Sequence, residues 1–440
     1  MFKLKKIICW TVGIFLCHQS IAQKVEFTEY DMPNGLHVIL HEDHAAPVVA
    51  VSVMYHVGSK NEVPGRTGFA HFFEHLLFEG TENIKRGEFL KIVAANGGQN
   101  NANTSQDRTF FYEVFPSNQF KLGLWLESER MLHPVINEIG VKTQNEVVKE
   151  EKRLHVDNQP YGNLLADIFK NLFPTHPYNW SVIGSMADLD AAKLSEFQAF
   201  FKKYYVPNNA VLSISGDISI PQAKVLISSY FGEVPQGQPV TYTKVEEAPI
   251  TRQLVDTTFD ANIQLPMIAT AYRAPGMDSR ESKIMEMIST ILSNGGSSKL
   301  YKKLVDDKKE ALQIGSFNSA LEDYGAYITY AIPNNSTPLD TLLQDIDEEI
   351  AKLQTNLVSE EDYRKIQNQL ENSYISANQG ALGVAQNLAS GYTFHHKNTD
   401  YTNEELKLIR GITREDIRNA AVKYLQPSSR LVLYYLPAKK

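Results

Sequence analysis

One pattern occurs twice in this chain of 440 residues, and it constrains the fold more than any other feature. Lys203, Tyr204 and Pro207 return as Lys423, Tyr424 and Pro427, an offset of 220 (423 − 203). The order of elements around them repeats as well. The first half opens with strand-like runs about the Asn34-Gly35 turn, LHVILHED and VVAVSVMYHVGS. A helix over His71–His75 follows, then strands between Gly97 and Phe115, a long helix ending near Glu151, and the closing unit FQAFFKKYYVPNNAVLSISGD. The second half gives a strand in IQLPMIATAYRAP, a helix in SKIMEMISTILSNGGSSKLYKKL and a strand in YGAYITYAIP. Long helices then run from about Leu339 to His395, and AAVKYLQPSSRLVLYYLP closes the chain. This repetition predicts an α+β fold of two homologous sheet-plus-helices domains related by internal duplication. The expected boundaries are a signal peptide at 1–22, domains at 23–234 and 250–440, and a linker at 235–249, which is rich in Pro, Gln and Thr.

Only the first copy carries chemistry. HFFEH, His71 to His75, sets two imidazoles one helical turn apart on a single face, with the Glu74 carboxylate between them. Two His of that spacing suit Zn²⁺, which then needs a third protein ligand, an open position and a base to deprotonate water. H-x-x-E-H is the order-reversed form of the commoner zinc-peptidase motif. The corresponding stretch of the second half, KIMEM (Lys283 to Met287), has no His. His395 and His396 are adjacent, point about 100° apart on a helix and do not form a metal pair.

A third ligand is sought in QNEVVKEEKRLHVDNQPYG, Gln144 to Gly162, at the end of a helix marked by Leu122, Leu126, Met131 and Val135. Pro134 and Gly140 interrupt that helix and divide it in two. Glu146, Glu150 and Glu151 crowd a turn and a half, and spacing alone leaves all three open.

HFFEH followed by LLFEGT, with a Glu 76 residues after the second His, resembles the pitrilysin and insulin-degrading-enzyme family of zinc peptidases. In size the chain is similar to the two-domain subunits of the mitochondrial processing peptidase and its bacterial relatives. The resemblance implies His71, His75 and Glu151 as zinc ligands and Glu74 as general base. It extends through Gly97–Phe115, HPYNWSVIG (His176 to Gly184) and Leu194–Asp217. It implies that unfolded peptides add as a strand along Asn101, Ala102, Asn103 and Thr104, held by main-chain hydrogen bonds. Many relatives carry an Arg and a Tyr seven residues apart in the second domain, facing the zinc. Here VDDKKEALQ puts Asp306 and Gln313 at those places, and no Arg lies between Arg280 and Arg364. The implied arrangement is the zinc-bearing subunit of a hetero-oligomer whose homologous partner supplies the Arg and Tyr, the alternative being a non-homologous oxyanion donor within the chain. Gln144 stands where relatives often have a supporting Glu, which implies weaker metal affinity. The alternative is a catalytically silent structural or peptide-binding member. Such members lose ligands from the motif, whereas the set here is complete.

The first residues have a different character. Lys3, Lys5 and Lys6 precede an apolar run from Ile7 to Cys17, and Ser20-Ile21-Ala22 offers small residues to a signal peptidase. That run is too short to span a bilayer, so the expectation is a periplasmic or otherwise exported protein with no membrane span in its mature form. Removing three Lys and no acidic residue takes the formal charge from −8 to −11 (−8 − 3), which argues against nucleic-acid binding. Both Cys residues, Cys9 and Cys17, leave with the segment, excluding disulfides and Cys-ligated zinc.

Overall fold

The computed structural model describes residues 24–334 and 336–438. The expected signal segment, with both cysteines, lies outside them. One sheet is built from β1 (Thr28–Asp31), β2 (His37–Glu42), β3 (Val48–Tyr55), β4 (Gln99–Thr104), β5 (Thr109–Pro116) and β6 (Ala210–Gly216), in the order β1-β2-β6-β3-β5-β4. A second contains β7 (Leu254–Asp260), β8 (Met267–Pro275), β9 (Ala311–Ala320), β10 (Tyr324–Pro333) and β11 (Arg430–Pro437), in the order β7-β11-β8-β10-β9. Without β1 the two orders correspond strand for strand, and the parallel pair, β2–β6 or β7–β11, falls at the same place in each.

The helices of the first half are α1 (Phe69–Leu76), α2 (Phe89–Ala95), α3 (Phe120–Leu132), α4 (Glu138–Lys152), α5 (Leu164–Leu172), α6 (Met186–Ala191), α7 (Leu194–Tyr204) and α8 (Ile220–Phe231). Those of the second are α9 (Arg280–Ser293), α10 (Leu339–Thr355), α11 (Glu360–Ala377), α12 (Ala381–Phe394), α13 (Tyr401–Arg410) and α14 (Arg414–Tyr424). Helices α7 and α14 start and stop at the offset of 220 (414 − 194 and 424 − 204). Even a surface detail recurs: Lys203 lies 4.7 Å over the Tyr204 ring and Lys423 lies 4.7 Å over that of Tyr424.

Strand β3, VVAVSVMY, is apolar almost throughout because both of its faces are covered. Val49, Val51, Val53 and Tyr55 enter the main core with Phe72 and Phe73 of α1 and Leu124 of α3. Met54 faces the other way, joining Ile39, Phe110 and Val211 in a smaller core. That second face is closed by Val384, Leu388, Ala389 and Phe394, which belong to α12 of the other half. The converse holds as well. Ile168, Phe169 and Leu172 of α5 pack against Ala269, Ala271, Ala326, Ile328, Leu431 and Leu433 of the second sheet. Each half lends a helix to the other.

Charged groups reinforce the seam. The ammonium of buried Lys60 pairs with Asp107 at 3.0 Å and with Glu322 and Asp323 of the β9–β10 turn. His56 meets Glu322 at 2.7 Å and His176 meets Asp323 at 3.1 Å. At the amino-terminal edge, Val25 donates its N–H to Asn403 Oδ1 at 2.8 Å and accepts from Asn403 Nδ2 at 3.1 Å.

Several elements differ from expectation. Strands β7 and β9 were not evident, because Val255 and Phe259 of β7 are exposed and only Ala311 and Ile314 of β9 are buried. Residues 235–249 contain no helix or strand, yet they are not a free tether. Gly237 N–H bonds Asn208 Oδ1 at 2.8 Å, the Tyr242 hydroxyl bonds Asp323, and the Glu247 carboxylate accepts the N–H groups of Thr175 and His176 at 2.7 and 2.6 Å.

Because α12 completes the first half, Leu388→Ala is expected to cost about 2–5 kcal/mol. Urea unfolding followed separately by Trp125 and Trp180 fluorescence should show the first half losing stability, although the substitution lies in the second.

Candidate metal centre

Helix α1 is only eight residues long and is fixed from its start. Gly68, at φ 92°, turns the chain into it in a left-handed conformation. A Cβ at Gly68 would come within 2.7 Å of the Ile183 carbonyl oxygen, so only glycine fits. The buried Glu62 carboxylate accepts the N–H groups of Gly68 at 2.8 Å and Ala70 at 2.9 Å, satisfying two otherwise orphaned donors of the first turn. Phe69 and Phe72 grip Phe197 of α7, with ring centroids 4.4 and 4.6 Å away. The apolar side of the helix is thereby anchored, and its other side presents His71, Glu74 and His75.

Helix α4, capped by Asn137, brings Glu151 onto that side in its last turn, just before a π-helical turn at Arg153–Asp157. Glu151 Oε1 lies 3.5 Å from His71 Nε2, and Oε2 lies 3.0 Å from His75 Nε2. One ligand atom from each residue falls within 4.8 Å of the others, and no other such group of His, Cys, Asp or Glu occurs among the described residues. Tetrahedral zinc at its usual bond lengths holds donors roughly 3.3 Å apart. Despite these short separations, Oε2 is buried without a well-directed hydrogen bond, as suits donors aimed at a common point rather than at each other. The His71 imidazole, and then that of His75, holds the Glu151 carboxyl far below the usual carboxylate range. Two nitrogens and an anionic oxygen converging in this way fit Zn²⁺.

Of the alternatives, Glu146 is drawn off by Lys149 at 3.3 Å and Glu150 by Arg153 at 2.8 Å, both exposed. Glu74 Oε2 accepts the Thr104 hydroxyl at 2.6 Å, so Thr104 fixes this carboxylate as well as ending β4. Strand β4 pairs with β5 alone, leaving the other edge of Asn101, Ala102, Asn103 and Thr104 without a neighbouring strand. Gln144 is engaged by a side chain just beyond α1. Its amide bonds Glu79, whose carboxylate also pairs with Arg86, at 2.5 Å, and a Glu there would face like charge.

In the second half, Lys283, which opens the stretch that answers HFFEH in the sequence, has its ammonium held by Glu286 at 2.9 Å and Glu405 at 2.5 Å. His395 stacks on Tyr401 at 3.3 Å, and burial pulls its pKa down to about 4. His396 and His155 are exposed. Asp306 is exposed, and the Gln313 amide donates to the Tyr330 hydroxyl at 3.1 Å. Glu62 was overlooked in the sequence, although an acidic residue shortly before a helix start is a recognisable signal.

Comparison with known proteins gives a consistent picture. Residues 37–183 match the family model described as insulinase (peptidase family M16), and residues 192–370 match that of the peptidase M16 inactive domain. A Helicobacter pylori protein named zinc protease PqqE is 30% identical over 387 residues, which is 87% of this chain and 86% of that protein. The crystal structure of a protease from Helicobacter pylori superposes with a TM-score of 0.89 at 28% identity, covering 94% of this chain and 100% of that one. The periplasmic protease PqqL from Escherichia coli has a TM-score of 0.77 at 17% identity, matching 94% of this chain but 48% of its own.

The Glu62 cap gives this site a pH signature. Burial, opposed by the N–H groups of Ala70 and Gly68, pushes its carboxyl up from 4.5 to about 8. Between those values the folded chain holds a proton that the unfolded chain has released, so stability present below the lower value is lost as pH rises toward the upper. Glu62→Gln, which mimics the protonated form, should flatten that decline in urea titrations at pH 5, 6.5 and 8.

Proposed function

Because the chain belongs to the insulinase (M16) family, we propose that it is an exported zinc metallopeptidase that hydrolyses unfolded peptides. The observation carrying this reading is the convergence of His71, His75 and Glu151, with Glu74 beside them at the free edge of β4. Zn²⁺ held by those three residues would supply the Lewis acidity that makes water a nucleophile near neutral pH and polarises the scissile carbonyl. Glu74, oriented by the Thr104 hydroxyl, takes the proton from the attacking water and returns it to the leaving amine. The β4 edge aligns the peptide through main-chain hydrogen bonds, which favours extended chains over folded proteins. The Lys-rich start and its apolar run support export, and no helix among the described residues is long and apolar enough to cross a membrane.

A homologous partner subunit completes the site in this reading. Asp306 cannot donate to a developing oxyanion, and the Gln313 amide is engaged by Tyr330. The correspondence of this chain to about half of PqqL supports a unit that works beside another of its kind.

Glu74→Gln should retain one zinc per chain, measured by elemental analysis, while cleavage of a quenched peptide falls at least about a hundredfold. Glu151→Ala should release the metal. Unchanged turnover in the first variant, or retained zinc in the second, contradicts these roles. The partner requirement makes a separate claim. The zinc-loaded chain alone should leave a quenched peptide library intact, and rapid zinc-dependent turnover by the lone chain would refute it.

A further inference from the structure

The hairpin joining β4 to β5 is fastened on several sides. The carbonyls of Ser105 and Gln106 accept the N–H groups of Ser59 at 3.2 Å and Lys60 at 2.9 Å. The buried Asp107 carboxylate takes the Tyr178 hydroxyl at 2.6 Å and the Glu322 N–H at 2.9 Å, and pairs with Lys60 at 3.0 Å. Arg108 therefore leaves a backbone that is already fixed.

Its guanidinium donates to Asn103 Oδ1 at 2.5 Å and lies 5.2 Å from the centre of the Phe110 ring. It is half-buried, and no carboxylate among the described residues forms an ion pair with it. Burial lowers its pKa, while the charges of Glu74 and Asp107 act in the opposite direction, so Glu74 lies within electrostatic reach. A partly desolvated guanidinium with one amide partner still has donors to spend, and a carboxylate is the group whose geometry matches its fork.

Strand alternation says which substrate group would meet it. Ala102 and Thr104 turn toward the α1 face, Ala102 into the core and Thr104 to Glu74. Asn103 turns to the opposite face and holds Arg108 there. A peptide added along β4 presents successive side chains to alternate faces, so a residue beside the scissile bond points toward Asn103 and Arg108.

Resting on the peptidase reading above, we propose that Arg108 is a specificity-determining residue that receives the carboxylate of a Glu or Asp next to the scissile bond. The substrate class is then acidic peptides. Bulk attraction does not account for such a preference, because the chain carries a formal charge of −8 and repels acidic peptides overall.

The test uses fluorescein-labelled peptides with Glu, Gln or Lys at each position flanking the bond, titrated onto the zinc-loaded chain and read by anisotropy. The Glu peptide should bind about five- to tenfold tighter than the Lys peptide, with the gap narrowing at high salt. Arg108→Gln should remove the difference, Arg108→Glu should reverse it, and Arg108→Lys should restore part of it, all with unchanged thermal unfolding. Equal affinities in the unaltered chain, a preference surviving Arg108→Gln, or a uniform weakening of all three peptides would overturn the assignment. Binding needs no turnover. A Glu74→Gln chain that still cleaves would therefore defeat the peptidase mechanism while the charge preference is read independently.

Discussion

The exchange of helices between the two halves is the constraint on which the rest of this structure depends. Each sheet has two apolar faces, and the helices of its own half cover only one. Helix α12 closes the first sheet and α5 the second, so neither core is complete without the other. A fully buried Leu or Phe contributes about 1.5–3 kcal/mol, so Leu388 and Phe394 on one side and Phe169 and Leu172 on the other outweigh any surface ion pair. This cover lies on the faces of the sheets rather than at their ends. The edge formed by β4 therefore stays open beside the metal ligands.

That arrangement lets a very short helix carry the chemistry. Eight residues do not hold a helix in water unaided. Helix α1 persists because Glu62 occupies its first N–H groups, Gly68 sets the entry angle and the Phe69–Phe72–Phe73 side interlocks with α7. Rigidity on one side leaves the other free to display imidazoles and a carboxylate. The corresponding stretch of the second copy carries no His, and its Lys283 ammonium lies between two carboxylates.

What could be read from the residues follows their periodicity. HFFEH is legible because i and i+4 share a face, and the duplication because 220 residues separate the closing helices α7 and α14 at both ends. Glu151 was one of three neighbouring acids on spacing alone. The family resemblance singled it out, and the packing of α4 on α1 gives the physical reason, since Glu146 and Glu150 turn to solvent and to basic neighbours. The exchange left no local trace, because the apolar stripe of α12 has the same form whichever sheet it covers. Strands β7 and β9 lie at sheet ends with few buried residues, so their composition is that of a loop. The seam around Lys60 joins residues 262 apart, beyond the reach of any local pattern. Gln144 reads as a loss of charge, and its bond to Glu79, 65 residues away, is beyond any local pattern.

The pairing of Val25 with Asn403 spans 378 residues, so the segment leading into β1 finds this partner only when nine-tenths of the chain is available. The cover from α12 and the Glu322–Asp323 turn also come late. A chain built this way has high contact order and does not lock its first half while the second is still emerging. Closure is then a nearly terminal event in folding, and the polypeptide remains pliable until almost all of it is available to fold.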